Sequence, residues 1–138
     1  MATVFTLSEA VSIAIHSMVL IANAKDSINV LAIAERTNSS KHHVAKIMQR
    51  LVKDGFLSSN RGPSGGFTLK RIPTDITLLE IYESIEGKIE VNECMHANPI
   101  CPFEHCIFEN FGKKVSSEFR DYLLSKSIEH YIKKEVKV

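Results

Sequence analysis

Hydrophobic positions recur along this 138-residue chain with a helical period in four stretches and alternate as in strands in one. Near the N-terminus Val11, Ile13, Ala14, Ile15, Met18, Val19, Leu20, Ile21 and Ala22 make a helix that is apolar almost all round. Helices of this kind are buried on more than one side, and in so small a chain the second side is open to a partner subunit. Thr6, with Glu9 three residues on, has capping-box spacing at its start. A short helix around Val30-Leu31-Ala32-Ile33-Ala34 turns at Asn38 into another, in which Val44, Ile47, Met48 and Leu51 fall at i, i+3, i+4 and i+7. Ser39 or Ser40 stands where a hydroxyl can cap that second helix. Asp54-Gly55 ends it, with Gly55 suited to a left-handed cap. Phe56–Ser59 and Phe67–Lys70 read as strands around Asn60-Arg61-Gly62-Pro63-Ser64-Gly65-Gly66, a tip whose three glycines and proline require a turn.

Pro73-Thr74-Asp75 breaks the chain, and Ile76 to Glu86 resumes as an amphipathic helix with Leu78, Ile81, Tyr82 and Ile85 on one face and Gly87 at its end. Lys88 to His105 resists a regular assignment, and loops this long are usually functional or disordered. Phe108, Phe111, Val115, Phe119 and Tyr122 then repeat at spacings of 3, 4, 4 and 3, a long aromatic stripe suited to its own domain or to a partner helix. Ser127 opens a short last helix, Ile128 to Lys134. The pattern predicts a mainly α fold: a winged helix-turn-helix domain with a two-stranded wing and a long C-terminal dimerisation helix. Residues 1–87 form the DNA-binding domain, its first helix shared with the dimer interface. Residues 88–106 form a cysteine-containing sensor loop, and 107–138 the dimerisation helix and tail.

Charge sharpens this picture. The whole chain carries only +1, yet Lys41 to Arg71 holds seven Lys/Arg against one Asp/Glu, a net of +6, and Ile72 to Phe111 one Lys against eight acids, a net of −7. A segregated basic patch is the electrostatic footprint of nucleic-acid binding. The polar face of the second helix of the pair, with His42, His43, Lys46, Gln49, Arg50 and Lys53, can donate to phosphates and base edges. Arg61 on the flexible hairpin tip suits a wing that lies along the backbone or enters a minor groove. The acids Glu80, Glu83 and Glu86 fit a solvated face and not a catalytic group.

Composition excludes several classes. The longest apolar run, Ala10 to Ala24, is too short and too interrupted for a membrane span, and no signal-peptide flank precedes it. The expected location is the cytoplasm. Three cysteines, an odd number, argue against a secreted disulfide framework and for thiols or a metal site. No phosphate-binding loop follows Gly62 to Gly66, no hydrolase or zinc-protease motif occurs, and no small-molecule substrate is identifiable. Cys and His in the loop lack a third orienting group, so no enzyme is expected. A metal-binding interaction protein is the remaining rival, and it leaves the basic helix unexplained. His16, on the residues alone, reads as a hydrogen-bonded core or interface histidine.

Ile33-Ala34-Glu35-Arg36, Asp54-Gly55-Phe56-Leu57, the wing Arg61 to Leu69, and Ile76-Thr77-Leu78-Leu79-Glu80-Ile81 with Glu86-Gly87 together resemble the Rrf-two family of bacterial winged-helix transcription regulators. The resemblance implies a homodimer, built from the first helix and the long helix after the cysteines, that binds a palindromic DNA operator as a repressor. It implies that Ser40, Lys41, His42 and His43 meet base edges or phosphates, and that Arg61, Pro63 and Ser64 enter the adjacent minor groove. It also implies a sensor of redox state, nitric oxide or iron–sulfur status. Many members of the family hold a [2Fe–2S] or [4Fe–4S] cluster on three loop cysteines, here matched by Cys94, Cys101 and Cys106. Their gaps of six and four residues depart from the more even spacing of the best-known cluster binders. Three thiolates leave a position for a fourth ligand. The resemblance puts His16 of a partner's first helix there, with Glu9, His96 and His105 as alternatives. Zinc in a Cys3His site, thiols that form a disulfide, and no cofactor at all are the competing readings.

Overall fold

The first helix, α1 (Glu9–Asn23), begins where Ser8, still extended, turns its hydroxyl oxygen back to accept from the Val11 N–H at 3.2 Å. The cap is therefore Ser8 and not Thr6, and Glu9 is the first helical residue instead of the third. Ser8 also donates its proton to Glu86 at 2.6 Å, so one hydroxyl both starts α1 and ties it to the end of α4 (Leu78–Glu86). The computed structural model describes residues 1–91, 94 and 100–132. Within them the chain's own elements take up most of the apolar surface of α1. Val11, Ile13, Ala14, Ser17, Met18, Leu20 and Ile21 are buried, and Glu9 and His16 remain exposed.

Next come α2 (Val30–Thr37) and α3 (Lys41–Lys53). The Asn29 side chain caps α2, and Asn38, left-handed at φ 52°, ends it. The expected turn and cap hold: Ser40 Oγ accepts from the His43 N–H at 3.1 Å. Gly55, at φ +86°, lets the chain reverse so that the Phe56 N–H reaches the Leu51 carbonyl at 3.0 Å. That bond keeps Phe56 with the helix end, and the wing strands are β1 (Leu57–Asn60) and β2 (Gly66–Leu69), each displaced by one residue from the expected ranges. They pair antiparallel, with Leu57 opposite Leu69 and Asn60 opposite Gly66. The segment before α2 adds a third rung, the Phe67 N–H donating to the Ile28 carbonyl at 2.9 Å. At Gly66 a β-carbon would stand 2.6 Å from that Ile28 oxygen, so only glycine admits the close approach.

A 3-10 turn at Pro73–Asp75 leads to α4, which starts at Leu78 under a Thr77 cap; Ile76 lies outside the helix and is fully buried. The last long helix is α5 (Phe111–Ser125), followed by a 3-10 turn, Ile128–Tyr131, in place of the helix expected to Lys134. Residues 133–138 lie outside the described residues. Leu123 and Ile128 enter the same core as Val44, Met48, Leu51, Ile76 and Ile81. Two backbone bonds clasp this end of α5 onto the start of α4: the Leu78 N–H to the Lys126 carbonyl and the Ile128 N–H to the Ile76 carbonyl, both 2.9 Å. Only part of the aromatic stripe is used inside the chain. Phe119 packs edge-on against Tyr82 and Phe5, at 5.5 and 5.0 Å between ring centres. Phe108 precedes the helix, and Phe108, Phe111 and Tyr122 stay exposed. The architecture is a mainly helical winged helix-turn-helix with a two-stranded wing and a C-terminal helix. No helix among the described residues is long and apolar enough to cross a membrane.

Candidate nucleic-acid interface

Burial of Val44, Ile47, Met48 and Leu51 turns the opposite face of α3 outward. Lys41, His42, Lys46, Gln49, Arg50 and Lys53 are exposed on it, and His43 is half-buried. Ser40 stands exposed at the N-terminus of α3, its oxygen occupied by the cap. The wing tip exposes Arg61, Pro63 and Ser64. The tip is held from below, since Ser27 Oγ donates to the Ser64 carbonyl at 2.7 Å. The exposed face of α3 and the wing flank the buried seam formed by Leu51, Phe56 and Leu57.

The cations of this segment do not all serve one purpose. Arg50 Nε lies 3.2 Å from Asp54 Oδ2, one helical turn on. Asp54 in turn accepts from the Ser84 hydroxyl of α4. That hydrogen bond is the main reason the Asp54 carboxyl sits below its ordinary range; Arg50 and Lys53 help and partial burial opposes. Arg71 is tied internally, with Nη2 2.9 Å from Glu80 and its guanidinium 5.3 Å above the Phe56 ring. Lys41, Lys46 and Arg61 make no ion pair among the described residues, which leaves them as the cations available to a polyanion. One contact had no signal in the sequence. His43 Nδ1 lies 3.3 Å from Glu9 Oε1, bringing together two residues 34 positions apart.

The cysteine segment is arranged differently from the expectation. Cys94 and Cys101 are exposed and Cys106 is half-buried. No three His, Cys, Asp or Glu side chains among the described residues stand close enough to hold a metal ion. His16 is exposed and not a core histidine. Its Nδ1 lies 2.6 Å from the Ser12 carbonyl of its own helix, and the ring borders an open cleft of about 790 Å³ shared with Glu9, Arg36 and Asn38. His105 is exposed, and His96 lies outside the described residues. The described donors of one chain therefore do not assemble a site for an iron–sulfur cluster or for zinc.

Comparison with known proteins places this geometry in a family. The profile of Rrf2, described as an iron-dependent transcriptional regulator, matches residues 7–134. The transcriptional regulator NsrR of Bacillus subtilis is 33% identical over 88 residues, 59% of this chain and 60% of that protein. The regulator IscR of Xenorhabdus nematophila is 23% identical over 131 residues, 95% of this chain and 76% of that protein. Among solved structures, CymR, the global cysteine regulator of B. subtilis, superposes with a TM-score of 0.74 at 21% identity, covering 91% of this chain and 94% of that one. IscR of T. potens gives 0.70 at 21% identity, over 91% and 85% of the two chains. These likenesses in structure establish the fold. The family match runs from the start of α1 through the wing to the C-terminal turn, and on it the chain belongs to the Rrf2 family: it is a DNA-binding transcriptional regulator, in a family of regulators and not of enzymes.

Proposed function

We propose that two copies of this chain bind a palindromic operator and repress transcription in the bacterial cytoplasm. In this reading α3 enters the major groove with Ser40, Lys41, His42, His43 and Lys46 toward bases and phosphates, and Arg61, Pro63 and Ser64 meet the adjacent minor groove. Arg50 is a weaker contributor, because its guanidinium is already engaged by Asp54. The observation that carries the reading is the set of unpaired cations, Lys41, Lys46 and Arg61, on the exposed faces of α3 and the wing. The second copy is supported by the exposed aromatic side chains Phe108, Phe111 and Tyr122. Titrating duplex DNA at several salt concentrations tests this. Arg61→Ala or Lys46→Ala should weaken binding and lower the salt slope by about 0.9 each, whereas Lys88→Ala, in the acidic half, should change neither. Equal behaviour of all three variants would remove the interface.

The signal enters, in the same reading, through Cys94, Cys101 and Cys106. The family's description as iron-dependent supports a metal there, and the scattered, exposed thiols support a cofactor-free thiol sensor. Anaerobic treatment with iron and sulfide separates the two. Stoichiometric iron and a visible absorption band, lost in Cys101→Ser, favour a cluster; bound zinc in the purified protein favours a Cys3His site; neither leaves thiol oxidation.

A further inference from the structure

We infer that Glu9 of α1 is a positioning residue for DNA readout: it fixes the His43 ring so that its second nitrogen reads a base as a hydrogen-bond acceptor. The inference rests on the reading that the first turn of α3 faces base edges. A carboxylate oxygen accepts and cannot donate, so across the 3.3 Å contact His43 Nδ1 carries the proton and gives it to Glu9 Oε1. In the neutral imidazole that leaves a bare lone pair on Nε2. The side chain of His43 is 33% exposed and that of Glu9 70%. A pair so open to water adds little stability, and its consequence is orientation. The backbone of His43 is fixed as well, its N–H bonded to the Ser40 cap. Both the ring and the strand of chain that carries it are therefore set before DNA arrives.

An acceptor at this place selects its partners. It pairs with the exocyclic amino groups of adenine N6 or cytosine N4 in the major groove, and it opposes guanine O6 and N7, thymine O4 and every phosphate oxygen. His43 is thus assigned as a reader of an amino-bearing base and not as a backbone contact. Glu9 shapes the specificity from a different helix, without touching DNA.

The experiment is selection from a randomised duplex library with the full chain, comparing wild type, His43→Ala, Glu9→Ala and Glu9→Gln. Thermal melts confirm that each variant is folded. Wild type should enrich adenine or cytosine at one position of each half-site. His43→Ala should lose that preference, about tenfold for a single base contact, and keep the others. Glu9→Ala should relax the same position, and Glu9→Gln, whose amide oxygen still accepts from Nδ1, should retain it. An unchanged profile in Glu9→Ala overturns the inference. So does a uniform loss across all sequences with a shallower salt slope, which marks a phosphate contact, or a Glu9→Gln profile matching Glu9→Ala. If wild type enriches nothing, the DNA-facing reading itself has failed.

Discussion

Ser17 is the buried polar side chain in a core otherwise filled by aliphatic groups and methionines. It is fully enclosed in α1, and its hydroxyl has no hydrogen-bond partner among the described residues. An enclosed hydroxyl without a partner forfeits roughly 1–3 kcal/mol of solvation, and serine is a poorer helix former than alanine. Ser17→Ala should therefore raise Tm by a few degrees in a thermal melt, where most core changes lower it. The Ser84–Asp54 hydrogen bond gives a second expectation. The folded carboxyl is held below its unfolded value, so its contribution is present above about pH 4 and is lost as pH falls through the lower folded value. Ser84→Ala removes the largest cause. The stability gap between wild type and variant in urea melts should be visible at pH 6 and close as the solution approaches pH 3. At this scale the sequence was legible where chemistry is local. Ser40 and Gly55 follow from the turn rules that their neighbours obey. The Glu9–His43 and Ser84–Asp54 contacts join residues 34 and 30 positions apart, and no spacing rule reaches that far.

The elements were legible in kind and shifted at their ends. Period and capping residues located α1 to α4 because each has one apolar stripe facing a single core. The strands moved by one residue because Phe56 spends its N–H on the end of α3, a choice invisible to alternation alone. The α5 stripe was the least well read. Its aromatic residues suggested the packed face, yet the buried position is Leu123, and three of the aromatics remain outside. A helix that serves two surfaces has no single stripe. The wing yields an element-scale prediction. Its third rung exists because Gly66 brings β2 against the Ile28 carbonyl. Gly66→Ala should separate them, lower the urea midpoint, and weaken DNA binding beyond the loss in stability, since the Ser27–Ser64 support of the tip is attached to the same rung. Binding measured well below the unfolding temperature that equals wild type would show the wing to be indifferent to this contact.

For the whole molecule, the candidate interface and the exposed aromatic face belong to different ends of the chain. Phe111 and Tyr122 are 51% and 54% exposed, and large exposed apolar patches mark interaction surfaces. Phe111→Glu with Tyr122→Glu should shift sedimentation to a single-chain species and abolish operator binding at low protein concentration, with helical content unchanged by circular dichroism. A variant that still sediments as a pair would place the interface elsewhere. The two backbone bonds and two buried side chains that clasp the end of α5 onto α4 have one more consequence. They make the chain a covalent circuit closed by a detachable buckle, with the cysteine segment as the strap between. Cutting the strap at the exposed residues 101–105 should then not free α5. In the Phe111→Glu, Tyr122→Glu background, a protease nick there should give two bands under denaturing conditions and one species by native sedimentation. The two pieces, produced from separate genes, should find each other and restore the fold.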